Sequence, residues 1–251
     1  LLAGRFNPVG NYIRAWNDIP ESSNDTRGWA IIDCMLNLSL LYWASEETGD
    51  PRFRQIAMLH ADTAQKYFVR PDGSVNHIVE FNPETGEFVC SYGGQGYAQG
   101  SSWTRGQGWG VYGFMISYIH TGKQEYLDTA KRIAHYIIAN IPEDGIIPVD
   151  FRQPKEPTWE DSCGACVIAN GLIEVAKHVP ELEKEMYIRA AIKILKAIDQ
   201  TRANWGTDCD SIVLNCSGAY HDQKHHFTMV YADSYFIEAI LKLRGNDYFI
   251  W

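Results

Sequence analysis

Apolar positions recur at helical spacing through most of the chain. The pattern predicts helices over 28–47, 51–69, 105–121, 124–140, 162–178, 183–202 and 231–243. Gly49-Asp50-Pro51 marks a sharp break between the first two, because proline opens a helix well and continues one badly. The predicted helices fall into pairs, and the pairs repeat. Each second helix opens on an aromatic after a short turn: Phe53 after Thr48-Gly49-Asp50, Tyr126 after Thr121-Gly122-Lys123, Tyr187 after Val179-Pro180. The first helices echo one another as well, Thr26-Arg27-Gly28-Trp29 against Thr104-Arg105-Gly106-Gln107-Gly108-Trp109.

First helices are small and apolar nearly all round, as in Gly110-Val111-Tyr112-Gly113-Phe114, whereas second helices carry charge on one face. That difference predicts an inner layer of helices wrapped by an outer one, in a solenoid or a closed ring. Function then belongs at the N-termini of the inner helices and in the loops before them. The connector over 70–104 is too long for a tight turn. Val75–Phe81 alternates, Asn82-Pro83-Glu84-Thr85-Gly86 is turn chemistry and Glu87–Cys90 returns, which predicts a β-hairpin inserted at about 74–91. A Gly/Tyr-rich stretch, Ser91–Tyr97, follows it.

Composition narrows the function classes. The 251 residues are 45% hydrophobic and 21% charged, enough for a sizeable core, and 1–251 reads as one helical domain. The net charge of −9 argues against nucleic acid or an anionic membrane surface as partner. No apolar run is long enough to span a bilayer. The expected compartment is the cytoplasm, with the periplasm as the alternative. Cys163-x-x-Cys166 lies in a small-residue helical run and has no second CxxC, so the pair reads as buried thiols rather than as a metal or redox site.

Chemistry concentrates in Trp103-Thr104-Arg105-Gly106-Gln107-Gly108-Trp109. Two indoles flank one guanidinium where a loop becomes a helix. A sugar ring bearing a carboxylate suits that set, its face on indole and its charge on Arg105. An internal carboxylate would suit Arg105 equally well, and both tryptophans would serve as core. Asp33 falls inside the apolar run Ile31-Ile32-Asp33-Cys34-Met35-Leu36, where a buried carboxyl needs a partner or a task as an acid. His77 lies in the hairpin, and Gln95 is a neutral donor and acceptor in a glycine-rich loop. The run Pro157–Ser162 reads as a helix start, with Glu160 or Asp161 as an alternative carboxyl for a pocket rim. Tyr220–His226, with Lys224 and His225, reads as a mobile, partly cationic loop near the pocket mouth.

Together these segments resemble the unsaturated glucuronyl hydrolases of glycoside hydrolase family 88. The resemblance is carried by Trp29–Leu38, by His77, by Gln95-Gly96-Tyr97-Ala98, by Trp103–Trp109 and by Tyr231–Ala239, in order along the whole chain. It implies an all-α, six-hairpin (α/α)6 toroid, here without its N-terminal helices, which hold the family's second pocket aspartate. It also implies a hydrolase that removes a 4,5-unsaturated uronic acid from the non-reducing end of lyase-generated oligosaccharides of glycosaminoglycan type. In that chemistry an acid protonates carbon 4 of a vinyl ether, water adds at carbon 5, and the resulting hemiketal opens and releases the aglycone. By resemblance Asp33 is the acid/base, and Trp16, His77, Gln95, Trp103, Arg105 and Trp109 hold the sugar. Lys224 and His225 would meet the aglycone. No metal or organic cofactor is implied, and the partner is a small unsaturated oligosaccharide. The related unsaturated rhamnogalacturonyl hydrolases of family 105 are the competing assignment, and a non-catalytic sugar-binding fragment is a further one.

Overall fold

The computed structural model describes residues 1–17 and 25–246. Seven α-helices are present among them: α1 Cys34–Thr48, α2 Pro51–Tyr67, α3 Thr104–Thr121, α4 Gln124–Asn140, α5 Ser162–Lys177, α6 Glu181–Thr201 and α7 Val230–Leu243. Local chemistry sets their ends. Gly49 takes a left-handed φ of 71° and returns its N–H to the Ser45 carbonyl, closing α1. Asp50 then accepts from the Arg52 amide at 3.0 Å, with Pro51 in the first turn, and opens α2. Gly122 closes α3 in the same way at φ 68°.

The predicted two-layer arrangement is present. Helices α1, α3, α5 and α7 pack side by side in sequence as an inner arc, and α2, α4 and α6 back them. Nearly every residue of α3 and α5 is buried, whereas α4 and α6 bury one face and expose charge on the other. Glycines let the inner helices approach: a Cβ on Gly113 would lie 2.4 Å from the Met35 Cβ, and one on Gly171 would lie 2.6 Å from Val111 Cγ1. At the two ends of the arc, Leu40 and Trp43 on α1 and Ile237 and Leu241 on α7 are exposed.

Among the described residues there are also five short strands: β1 Phe6–Asn7, β2 Tyr12–Ile13, β3 Trp29–Ile31, β4 Ile78–Phe81 and β5 Phe88–Tyr92. The inserted hairpin is β4–β5, antiparallel, with a bulge at Glu80/Phe81. It is not alone. Strand β3 pairs with β4, Ala30 opposite Val79, making a three-stranded sheet. This corrects the helix expected over 28–47, which starts only at Cys34. Gly28 explains the difference: its carbonyl accepts from the Phe81 amide at 2.8 Å, and a Cβ there would lie 1.8 Å from the Phe81 carbonyl oxygen. The echo between Thr26–Trp29 and Thr104–Trp109 is therefore one of sequence alone, strand entry in one copy and helix in the other.

The N-terminal strands are tied to the outer layer by one buried side chain. His60 on α2 is fully buried, and its Nδ1 accepts from the Ile13 amide at 3.0 Å. Burial lowers its pKa from 6.5 to about 4. The unfolded chain therefore binds a proton that the folded chain refuses, and stability falls as pH drops through the interval from 6.5 towards 4. Urea unfolding is expected to show about 2 kcal/mol less stability at about pH 5 than at about pH 7 from this group, and His60→Gln to flatten that slope.

Candidate active site

The sheet delivers the two central residues. The Ile32 amide donates to the His77 carbonyl at 3.1 Å, which continues the β3–β4 pairing by one step. Asp33 follows at the entry to α1, with φ −53° and ψ −32°, and its carboxylate caps no amide. Its Oδ2 lies 3.3 Å from His77 Nε2. Both atoms are buried and neither has an aligned hydrogen bond. The Asp33 side chain is 28% exposed, wetter than the mid-helix position read from the sequence, because it stands at the helix start.

His77 is itself almost fully buried. Its Nδ1 accepts from the Gln95 amide at 3.0 Å, which places the proton of the neutral ring on Nε2, facing Asp33. The ring packs against Trp103 at 4.5 Å between centroids. Gly94 makes room for this: at φ +56°, a Cβ would lie 1.9 Å from His77 Nδ1. Gln95 also binds across to the C-terminal loop. Its Nε2 donates to the Gly218 carbonyl at 2.8 Å, and its own carbonyl accepts from the Tyr220 amide at 2.9 Å.

Arg105, in the first turn of α3, is 2% exposed. Its Nε sits 3.1 Å from Asp161 Oδ2, Nη1 donates to the Tyr231 hydroxyl at 2.6 Å, and Nη2 donates to the carbonyls of Ser217 and, at 2.7 Å, Gly218. Its guanidinium carbon also lies 5.1 Å from the Trp103 ring centre. Of the two roles open from the sequence, the geometry displays the internal carboxylate. Burial acts to lower the guanidinium pKa, but Asp161 leads the surrounding groups that raise it above its ordinary value. The fully buried Asp161 carboxyl is pushed up by burial, with Arg105 pulling it back. Tyr231 is pushed up to about 12, mainly by burial.

The remaining candidates fall at different depths. Trp103 and Trp109 are buried, Trp103 between His77 and Arg105 and Trp109 edge-on to Tyr235. Neither stands as an open platform, although both indole N–H groups are buried without an acceptor. Trp16 meets Trp29 at 5.9 Å, and Trp29 meets Tyr92 at 4.9 Å, a row of aromatics beside the strand that leads into Asp33. Lys224 is exposed, while His225 stacks flat on Trp159 at 4.1 Å. Glu160, the alternative rim carboxyl, is paired with Arg202 at 2.6 and 2.7 Å, which together with Asn215 holds its pKa down. The Cys163 and Cys166 thiols are buried and pushed well up by burial, consistent with packing roles.

Sequence reasoning passed over Asp150. Fully buried, it accepts from the amides of Tyr97, Ser102 and Arg152 and from the Ser101 hydroxyl, and so shapes the loop that presents Gln95 and Trp103. Its signal was faint: an acid directly after the apolar Ile146-Ile147-Pro148-Val149. Tyr231 was read as part of a helix and of the segment that carries the resemblance, without a role at the site, and Asp161 was not connected to Arg105.

Residues 10–238 match the pattern of Glycosyl Hydrolase Family 88. The chain belongs to that family. It is 37% identical, over its whole length, to an unsaturated glucuronyl hydrolase of Bacillus sp. (strain GL1), and 32% identical over 96% of its length to an unsaturated chondroitin disaccharide hydrolase of Streptococcus pyogenes serotype M1. It spans 67% and 61% of those proteins respectively. Among solved structures, the unsaturated glucuronyl hydrolase of Bacillus sp. GL1, described as responsible for the degradation of glycosaminoglycan, superposes with a TM-score of 0.91 at 36% identity, over 97% of this chain and 66% of that one. One described as an unsaturated glucuronyl hydrolase specific for heparin gives 0.89 at 29% identity, over 97% of this chain and 66% of that one. The helical fold of this family-88 chain is thus that of (α/α)6 toroids, matched over about two thirds of their length.

Within this candidate site, Gly94→Ala is expected to push the His77 ring aside and break its bond to the Gln95 backbone amide. A displacement of about 1 Å next to a reacting group costs about 10²-fold in rate. Steady-state turnover beside a thermal melt checks that the loss exceeds any loss of stability.

Proposed function

We propose that this chain carries the acid/base centre of a hydrolase that removes 4,5-unsaturated uronic acid from lyase-generated glycosaminoglycan-type oligosaccharides. The observation that carries the reading is the Asp33 carboxyl, with Oδ2 lacking an aligned hydrogen bond and 3.3 Å from a histidine whose tautomer is fixed by Gln95. The kinship with glucuronyl and chondroitin disaccharide hydrolases supports the substrate class.

The substrate is a cyclic vinyl ether. Asp33 gives its proton to carbon 4, and positive charge develops at carbon 5 and the ring oxygen. A water molecule bonds to carbon 5 and returns a proton to Asp33, so one carboxyl serves as acid and then as base. The product is a hemiketal. Its ring opens, carbon 5 becomes a ketone, and the aglycone leaves from the hemiacetal carbon exposed at position 1. Because bond loss follows hydration, the spacing rule for paired carboxylates in ordinary glycosidases does not govern this site. His77 Nε2 faces the Asp33 carboxyl at 3.3 Å, close enough to pair with it. Trp16 with its aromatic neighbours lies towards the aglycone side, Gln95 answers the polar edge of the sugar, Arg105 acts from behind it by holding the loop carbonyls, and Trp103 and Trp109 wall the site. Lys224 and His225 stand on the loop that would meet the aglycone.

The test is the fall of vinyl-ether absorbance on a panel of hyaluronan-, chondroitin- and heparin-derived unsaturated disaccharides. Turnover is expected on at least one, none on the saturated analogues, and Asp33→Asn should lose about 10²- to 10⁴-fold in kcat with ligand affinity retained. Turnover by Asp33→Asn at the wild-type rate would overturn the assignment.

A further inference from the structure

A continuous chain of contacts runs from a fully buried carboxylate to the candidate acid/base. It starts at Asp161, just before α5, whose Oδ2 holds Arg105 Nε at 3.1 Å and whose Oδ1 accepts from the Ser217 amide at 3.3 Å. Arg105 Nη2 donates to the Gly218 carbonyl at 2.7 Å. The same carbonyl receives Gln95 Nε2 at 2.8 Å. The Gln95 amide donates to His77 Nδ1 at 3.0 Å, and His77 Nε2 lies 3.3 Å from Asp33 Oδ2. Glycines clear both ends: a Cβ on Gly164 would lie 2.9 Å from Asp161 Oδ2, and one on Gly94 would lie 1.9 Å from His77 Nδ1.

We infer that Asp161 is a positioning residue for the candidate acid/base, acting through Arg105, the Gly218 carbonyl and Gln95 to fix the ring of His77 against Asp33. Two features distinguish it from an ordinary buried ion pair. The Gly218 carbonyl is shared, so the guanidinium and the Gln95 side-chain amide cannot move independently. Arg105 also cannot lose its charge, so without Asp161 it must draw harder on the acceptors it already holds, the Tyr231 hydroxyl and the Ser217 and Gly218 carbonyls that set the loop. Displacing Gly218 releases Gln95, and releasing Gln95 frees His77 Nδ1 to take the proton that Nε2 otherwise carries.

The consequence for catalysis rests on the function proposed above; the consequence for His77 does not. Asp161→Asn keeps the shape and removes the charge. Nitrogen-15 NMR of the ligand-free protein, with labelled histidine, reads the tautomer of His77 directly. The wild type is expected to show a single neutral form with the proton on Nε2, and Asp161→Asn a mixture of both tautomers, as should Gln95→Ala. On unsaturated disaccharide, Asp161→Asn should lower kcat by about tenfold or more while KM stays within about threefold, the split expected when a reacting group rather than a binding contact is disturbed. If Asp161→Asn does not fold, the double variant Asp161→Asn/Arg105→Gln, which leaves no buried charge unpaired, carries the same measurement. A folded variant whose His77 signals match the wild type overturns the inference, and so does a wild type with the proton on Nδ1. If the signals change as expected and the wild type has no turnover, the positioning role stands and the functional reading falls.

Discussion

A guanidinium sealed from water at the head of an inner helix constrains everything around it. Arg105 cannot shed its charge, and burial without compensation would be strongly unfavourable. The fold answers from three directions: a carboxylate from the entry to α5, a hydroxyl from the first turn of α7, and two carbonyls from the loop between α6 and α7. All three segments lie far from Arg105 in sequence. Meeting one cation brings them into register and sets where the loop's backbone oxygens point. The Asp33 end of the candidate site is tied to that arrangement through Gln95, whose side chain bonds to the loop and whose backbone amide bonds to His77.

The sheet supplies the second constraint. Asp33 and His77 are neighbours because β3 pairs with β4, and the pairing continues one residue past β3, to Ile32, just before Asp33. One strand therefore does two tasks: it closes the hairpin against the helical body, and it places a carboxyl beside an imidazole. The N-terminal strands come under the same discipline, since His60 holds Ile13 only three residues before Trp16.

Much of this could be read from the chain alone. Helix pairs were legible because burial follows a regular period, and the contrast between apolar inner helices and amphipathic outer ones separated the layers. The hairpin was legible from alternation and turn chemistry. The strand at Trp29–Ile31 was not, because Ala30-Ile31-Ile32 suits a helix and a strand equally, and its partner at Val79 decides the matter from 49 residues away. Asp33, His77 and Gln95 were identifiable as polar residues in costly or glycine-rich settings. The network that joins them was not, since Asp161, Ser217 and Gly218 look like ordinary loop residues until the chain folds. The tryptophans show the limit of composition: type alone cannot tell an indole that packs on a guanidinium from one left open to a ligand.

The close approach of the inner helices limits how such a molecule can diversify. Where Gly113 meets Met35 and Gly171 meets Val111, there is no free volume in which side chains can change size. A larger residue at either point must displace a whole helix, and with it the carboxyl or the guanidinium at its head. Tolerance for change is left to exposed positions outside these contacts, Gln223 and Lys224 in the loop ahead of α7 among them. Such positions can change by drift while the buried network around Arg105 keeps its geometry.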